Sequence, residues 1–170
     1  MHLVTRTPKR GVLAALLLWA APAGCLSAQP ADTLCIVTSV HDGDTLRCTN
    51  GMRVRLTGID APELDQQPFG VVSRDGLRRL VSRGDTVRLE LDVQPTDRYG
   101  RTLAYVWAGD TLVNDAMLAA GLAQLLTYPP NVRYVERFTA TQRAAREAKR
   151  GLWADDGLSC APVEHRRGRC

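Results

Sequence analysis

Apolar and polar residues alternate through the first part of the chain and fall into helical spacing later. From Cys35 to Val40 the residues are β-prone, and HDGDT follows, in which Asp42-Gly43 is a strong hairpin signal. TLRC resumes the strand and Asn50-Gly51 marks a second turn. MRVRLTGI alternates as a third strand, with Met52, Val54 and Leu56 on one face and Arg53, Arg55 and Thr57 on the other. Gly58 breaks that alternation as a bulge would. The period then lengthens. FGVVSRDGLRRLVSRG places Val72, Leu77, Leu80 and Val81 on one helical face, with Gly84 as its stop. DTVRLELDV returns to period two, with Val87, Leu89 and Leu91 pointing one way. A loop at TDRYGR, a strand through TLAYVWA and a tight turn at Gly109-Asp110 follow. NDAMLAAGLAQLL reads as a short helix capped by Asn114, and YPPN breaks the chain. VRYVERFTATQRAAREAKRGLW is a long amphipathic helix with Val132, Val135 and Phe138 on one face, ending at Gly151.

This order predicts an α+β fold: a five-stranded OB-type β-barrel with about three packed helices over residues 33–154, followed by a loosely held polar tail at 155–170. Grooves on such barrels commonly take oligonucleotides or oligosaccharides. The 170 residues suffice for one domain with a true core and are too few for two comfortable ones.

The first 28 residues do not belong to that core. Arg6, Lys9 and Arg10 precede an apolar run from Gly11 to Ala21 and then small residues, the three regions of a secretory signal, with cleavage expected after Ala28. The run is too short to span a bilayer, and no later segment could do so. A lipoprotein anchored at Cys25 is the second reading, ranked lower because Pro22 sits where a large aliphatic residue is usual. The expected location is therefore secreted or periplasmic. Three of the 22 basic residues and none of the 18 acidic ones lie in the leader, which leaves 19 against 18, a net charge of +1. Net charge thus lends no support to nucleic-acid binding, and any such case must rest on placed residues.

Four cysteines remain: Cys35, Cys48, Cys160 and Cys170. An even number in an exported chain favours disulfides, and no C-x-x-C pair suggests zinc. Cys160, His165 and Cys170 could form a three-ligand metal set, but disulfide chemistry is the simpler reading. Of three connectivities we favour Cys35–Cys48, which flank one predicted hairpin, leaving Cys160–Cys170 in the tail.

The candidate chemistry gathers at the strand ends. Two antiparallel turns bring Asp44, at the start of the second strand, near Asp60, at the end of the third. Oxygen ligands of this kind suit a hard cation such as Ca²⁺. An EF-hand is excluded, because the twelfth position counted from Asp42 is Arg53 rather than Glu. Taken singly, each acid reads more simply as a turn or solvated loop residue, and a lone strand arginine as a solvated side chain. Together with Glu63, Arg55 and Arg101, however, they make up the parts of phosphoryl transfer: a cation, a base and guanidinium groups that grip phosphate.

DGDT, VRLTGIDAPE and DRYGRTLAYVW, in that order, resemble the staphylococcal nuclease (thermonuclease) family, over about Cys35 to Trp153. The resemblance implies an OB barrel with three helices and Ca²⁺-dependent hydrolysis of DNA and RNA that leaves 3′-phosphate ends. It implies Asp44, Asp60 and the backbone carbonyl of Ala61 as Ca²⁺ ligands, Glu63 as general base, and Arg55 and Arg101 as stabilisers of the transition state. It places Arg98 and Tyr99 on a terminal phosphate of bound substrate. The chain departs from the family at LLTYPPN, whose single tyrosine, Tyr128, lies one position out of step, and a lysine-rich loop found in some members is replaced by LDQQPFG. The expected protein is a monomer acting on DNA and RNA. Competing readings are a non-catalytic OB module that binds nucleic acid or protein, marked by loss of Arg55, Glu63 or Arg101, and a disulfide-stabilised scaffold. None of the three marker residues is lost.

Overall fold

The computed structural model describes His2 and residues 33–170; the rest of the predicted leader, Cys25 included, lies outside the described residues. Strand β1 (Thr33–Val40) turns at His41–Asp44 into β2 (Thr45–Cys48), and a turn at Asn50-Gly51 leads to β3 (Arg53–Leu56). The Asp42 carboxylate accepts the Asp44 N–H at 3.0 Å and closes the first turn. Gly51 adopts φ 81° in the second, a conformation that costs glycine nothing.

The third predicted strand does not run on to Ile59. It ends at Leu56, the chain turns at Thr57-Gly58, and Ile59–Asp60 (β4) pairs with Gln124–Leu125 (β8) in a separate two-stranded sheet. Helix α1 (Phe69–Leu80), β5 (Thr86–Thr96), β6 (Thr102–Ala108), β7 (Thr111–Leu112), α2 (Val113–Ala119) and α3 (Val135–Glu147) follow, with β8 between the last two helices. Strands β3, β2, β1, β5 and β6 are hydrogen-bonded in that order, and a parallel pairing of β3 with β6 closes them into the expected five-stranded barrel. Closure removes the exposed sheet edges. Val37, Leu46, Val54, Leu56, Val87 and Leu89 fill its interior, as the period-two alternation requires.

Both disulfides form as expected. Cys35–Cys48 ties β1 to β2 within the buried core, and Cys160–Cys170 closes the tail. Among the described residues, no helix is long and apolar enough to cross a membrane.

Four helical expectations need correction. Val72 is 45% exposed; α1 buries Leu77 as expected, and beside it Gly70, Ser73 and Gly76. Helix α1 also ends at Leu80, leaving Gly84 in the following turn. Val132, placed on the apolar face of α3, precedes that helix and is exposed, whereas Phe138 is buried. Asn114 makes no cap hydrogen bond. It is fully buried, where its side chain accepts the Val106 N–H at 2.9 Å and donates to the Thr57 carbonyl at 2.8 Å, joining β6 to the β3–β4 turn. The tail is not loose either: after a 3-10 turn at Gly151–Trp153 it forms a short helix, α4 (Pro162–His165).

Gly58 is the joint between barrel and site. Its φ is 81°, and a Cβ there would lie 2.8 Å from Phe138 Cε2 on α3. Gly58→Ala should cost roughly 2–5 kcal/mol, through left-handed strain and overpacking. Urea unfolding checks this, and an unchanged midpoint would contradict the packing described.

Candidate active site

Each site residue is delivered by an identifiable local device. The β1–β2 turn presents Asp44, whose backbone carbonyl accepts the Leu56 N–H at 2.8 Å and so pins the turn to β3. The Thr57-Gly58 turn swings Asp60 back towards it. Asp44 Oδ2 accepts the Ala61 N–H at 2.8 Å, and Oδ1 accepts the Thr45 hydroxyl at 3.1 Å. Both aspartates are buried.

Arg55 projects from β3 between them. One terminal nitrogen, Nη2, lies 3.0 Å from Asp44 Oδ2 and 3.0 Å from Asp60 Oδ1. The other, Nη1, donates to the carbonyls of Leu56 and Ile59, each at 2.8 Å. Two carboxylates from different elements thus converge on a single nitrogen. Burial pushes the Asp44 carboxyl above the usual carboxylate range and the neighbouring Asp42 adds to this, against the pull of Arg55 and the Ala61 N–H.

Glu63 follows Pro62 on the segment leading to α1. Its N–H donates to Gln66 Oε1 at 3.0 Å, and the Gly70 backbone packs against its carbonyl so closely that a Cβ at Gly70 would lie 2.0 Å from that oxygen. Helix α1 approaches the aspartate turn in the same way, since a Cβ at Gly43 would fall 1.9 Å from Ser73 Oγ. Close backbone approach, rather than side-chain volume, sets the position of both acidic segments.

Arg55 also lines a cleft of about 350 Å³ beside the carboxylates, together with Arg98, Tyr99, Arg101, Leu126 and Tyr128. The Arg101 Nε donates to Asp97 Oδ2 at 2.7 Å, while Asp97 Oδ1 accepts the N–H groups of Tyr99 and Arg101. Arg98 stacks over the Tyr99 ring at 4.7 Å, and Tyr99 and Tyr128 are exposed at the cleft. The predicted residues therefore fall into two groups joined by Arg55: Asp44, Asp60, Ala61 and Glu63 on one side, and Arg98, Tyr99, Arg101 and Tyr128 on the other.

Sequence reasoning missed two participants. Asp97 seats Arg101, and its place within DRYGR was visible without a stated role. Arg166 comes from the tail: its Nη2 reaches Asp60 Oδ2 at 2.8 Å and its Nη1 reaches Glu63 Oε1 at 2.7 Å. Burial alone would lower the Arg166 pKa, but hydrogen bonds to Asp60 and Glu63 outweigh it and hold it above the usual arginine value. The only signal in the sequence was the cysteine bracket around EHRRGR.

The donors present fit a hard cation. Asp44, Asp60 and Glu63 share two guanidinium groups, those of Arg55 and Arg166, and Asp42 in the same turn accepts only the Asp44 N–H among the described residues, which leaves an excess of negative charge. Among the described residues, no three His, Cys, Asp or Glu side chains form a metal-binding group. Such an ion would therefore take Asp44 and Asp60 together with backbone carbonyl and water oxygens, as Ca²⁺ commonly does.

Residues 53–155 match the family model described as staphylococcal nuclease homologue. The thermonuclease of Staphylococcus hyicus is 38% identical over 127 residues, covering 70% of this chain and 75% of that protein. The thermonuclease of Staphylococcus intermedius is 37% identical over 126 residues, covering 69% and 74% respectively. Endonuclease YncB of Bacillus subtilis (strain 168) is 33% identical over 126 residues, covering 68% and 59%.

Asp97 provides a test of the loop that carries Arg101. Burial would raise its carboxyl, but the N–H groups of Arg101 and Tyr99 and the Arg101 guanidinium hold it below the usual range. A depressed folded-state value contributes stability that is complete above the unfolded value and lost as pH falls through the folded one. Asp97→Asn should therefore differ most from the parent in urea midpoint at pH 7, and the gap should shrink towards about pH 3. A gap independent of pH would refute the ionic role.

Proposed function

The chain belongs to the staphylococcal nuclease family, and from that premise we propose that it is a Ca²⁺-dependent nuclease that hydrolyses phosphodiester bonds of DNA and RNA and leaves 3′-phosphate ends. The observation that carries this reading is the position of Arg55, which binds Asp44 and Asp60 through one nitrogen and lines the cleft that also holds Arg101. A phosphate in that cleft would lie beside both the cation ligands and the guanidinium groups.

Asp44, Asp60 and the Ala61 carbonyl would hold the ion, which when bound supplies Lewis-acid charge to a phosphate oxygen. Arg55 and Arg101 act on the same phosphate by donating hydrogen bonds to oxygens whose negative charge grows as the transition state forms. Asp97 keeps the Arg101 guanidinium oriented, so little ordering remains for the reaction step. Glu63 takes the proton of the attacking water as general base, provided its carboxylate is free of Arg166. Arg98 and Tyr99 line the cleft, where they would meet the terminal phosphate of bound substrate, and exposed Tyr128 stands at the same cleft. Without the leader the net charge would be near zero, so affinity would rest on these few contacts and weaken as salt rises.

Incubation of the protein with single- and double-stranded DNA and with RNA, in Ca²⁺ or in a chelator, tests the proposal. Cleavage should require Ca²⁺ and produce 3′-phosphate termini; no Ca²⁺-dependent cleavage of any of the three would overturn it. Glu63→Gln and Arg101→Ala should each lower kcat roughly 10²–10⁴-fold while both variants remain folded at the assay temperature, as circular dichroism would check. If either variant unfolds but retains its specific activity, the role assigned to that residue is wrong.

A further inference from the structure

The C-terminal segment is built onto the acidic site. Cys160–Cys170 closes a loop that contains α4, and Pro162, in the first turn of that helix, is buried. Within the loop, Arg169 and Arg167 both pair with Glu164. Outside it, three contacts dock the loop on the segment that carries Glu63. Gln66 Nε2 donates to the Cys160 carbonyl at 2.9 Å while its Oε1 holds the Glu63 N–H. His165 Nε2 lies 3.0 Å from Asp65 Oδ1. Arg166 spans Asp60 and Glu63, engaging both oxygens of Asp60 at 3.0 and 2.8 Å.

We propose that this disulfide-strapped loop is an internal inhibitor of the cation site, with the Arg166 guanidinium and the cation competing for Asp60. The inference rests on the reading of Asp44 and Asp60 as cation ligands. A carboxylate whose two oxygens both accept hydrogen bonds from a guanidinium cannot give the same lone pairs to a metal without releasing some of them. The same guanidinium engages Glu63, so one docking event covers both a ligand and the base. The Arg166 side chain is 39% exposed, so it can swing out to solvent when a divalent cation takes its place at the buried Asp60 carboxylate. Specificity lies in placement. Of the neighbouring arginines, Arg167 pairs inside the loop, and Arg166 alone among 166, 167 and 169 has its ion pairs with the acidic site. The disulfide keeps the loop near the site after release, so docking remains a local equilibrium.

Calorimetric titration of the full chain with Ca²⁺, in the parent protein, Arg166→Gln and Arg167→Gln, tests the competition without relying on cleavage. Arg166→Gln should bind Ca²⁺ roughly tenfold more tightly or better, and Arg167→Gln should match the parent. In the parent, Ca²⁺ should raise amide hydrogen exchange across residues 160–169. A variant with both Cys160→Ser and Cys170→Ser should shift affinity in the same direction as Arg166→Gln. Equal Ca²⁺ affinity in the parent and Arg166→Gln, with cleavage intact, would overturn the inhibitor and leave the nuclease reading standing. If neither protein binds Ca²⁺, the cation-dependent reading falls and the inhibitor falls with it.

Discussion

A buried carboxylate needs a compensating positive charge, and in this protein Arg55 supplies one to two carboxylates at once. Asp44 and Asp60 come from different elements, and burying either without a partner would be costly. The arrangement works only if the β1–β2 turn, strand β3 and the Thr57-Gly58 turn are held in fixed relation. The backbone bond from Leu56 to Asp44, the bond from Ala61 to the Asp44 carboxylate and the grip of Arg55 on the Leu56 and Ile59 carbonyls provide that relation. The barrel matters to the site chiefly because it makes these short connections rigid.

The same charges link fold to chemistry. Three carboxylates and one arginine on a barrel rim would repel without further cations, and the tail meets part of that need through Arg166. The proposed Ca²⁺ ion would meet it differently, with more charge and no side chain to order. Under the proposed function, cation and tail are alternative occupants of the acidic site, beside the cleft that would take the phosphate, and Arg55 touches both places.

Much of this was legible in the sequence, for physical reasons. Half-buried strands must alternate, so VRLTGI declared Val54 and Leu56 as core and Arg55 as facing away from it. Hairpin connectivity alone places Asp44 near Asp60. Helix α1 is less legible, because it packs through Gly70, Ser73 and Gly76, and hydropathy cannot show that small residues permit close approach. Asn114 matched the pattern of a helix cap, yet only its tertiary partners at Val106 and Thr57 make it a buried cross-link. Arg166 was invisible for a related reason: its partners Asp60 and Glu63 lie 106 and 103 residues away, and a polar tail looks the same whether solvated or docked.

The most direct measurement of the central claim is an anomalous diffraction map from crystals of the full chain soaked in Ca²⁺. The anomalous peak is expected between the carboxylates of Asp44 and Asp60, within reach of the Ala61 carbonyl. A protein that cleaves nucleic acid in the same Ca²⁺ concentration but shows its peak elsewhere, or none, would contradict it.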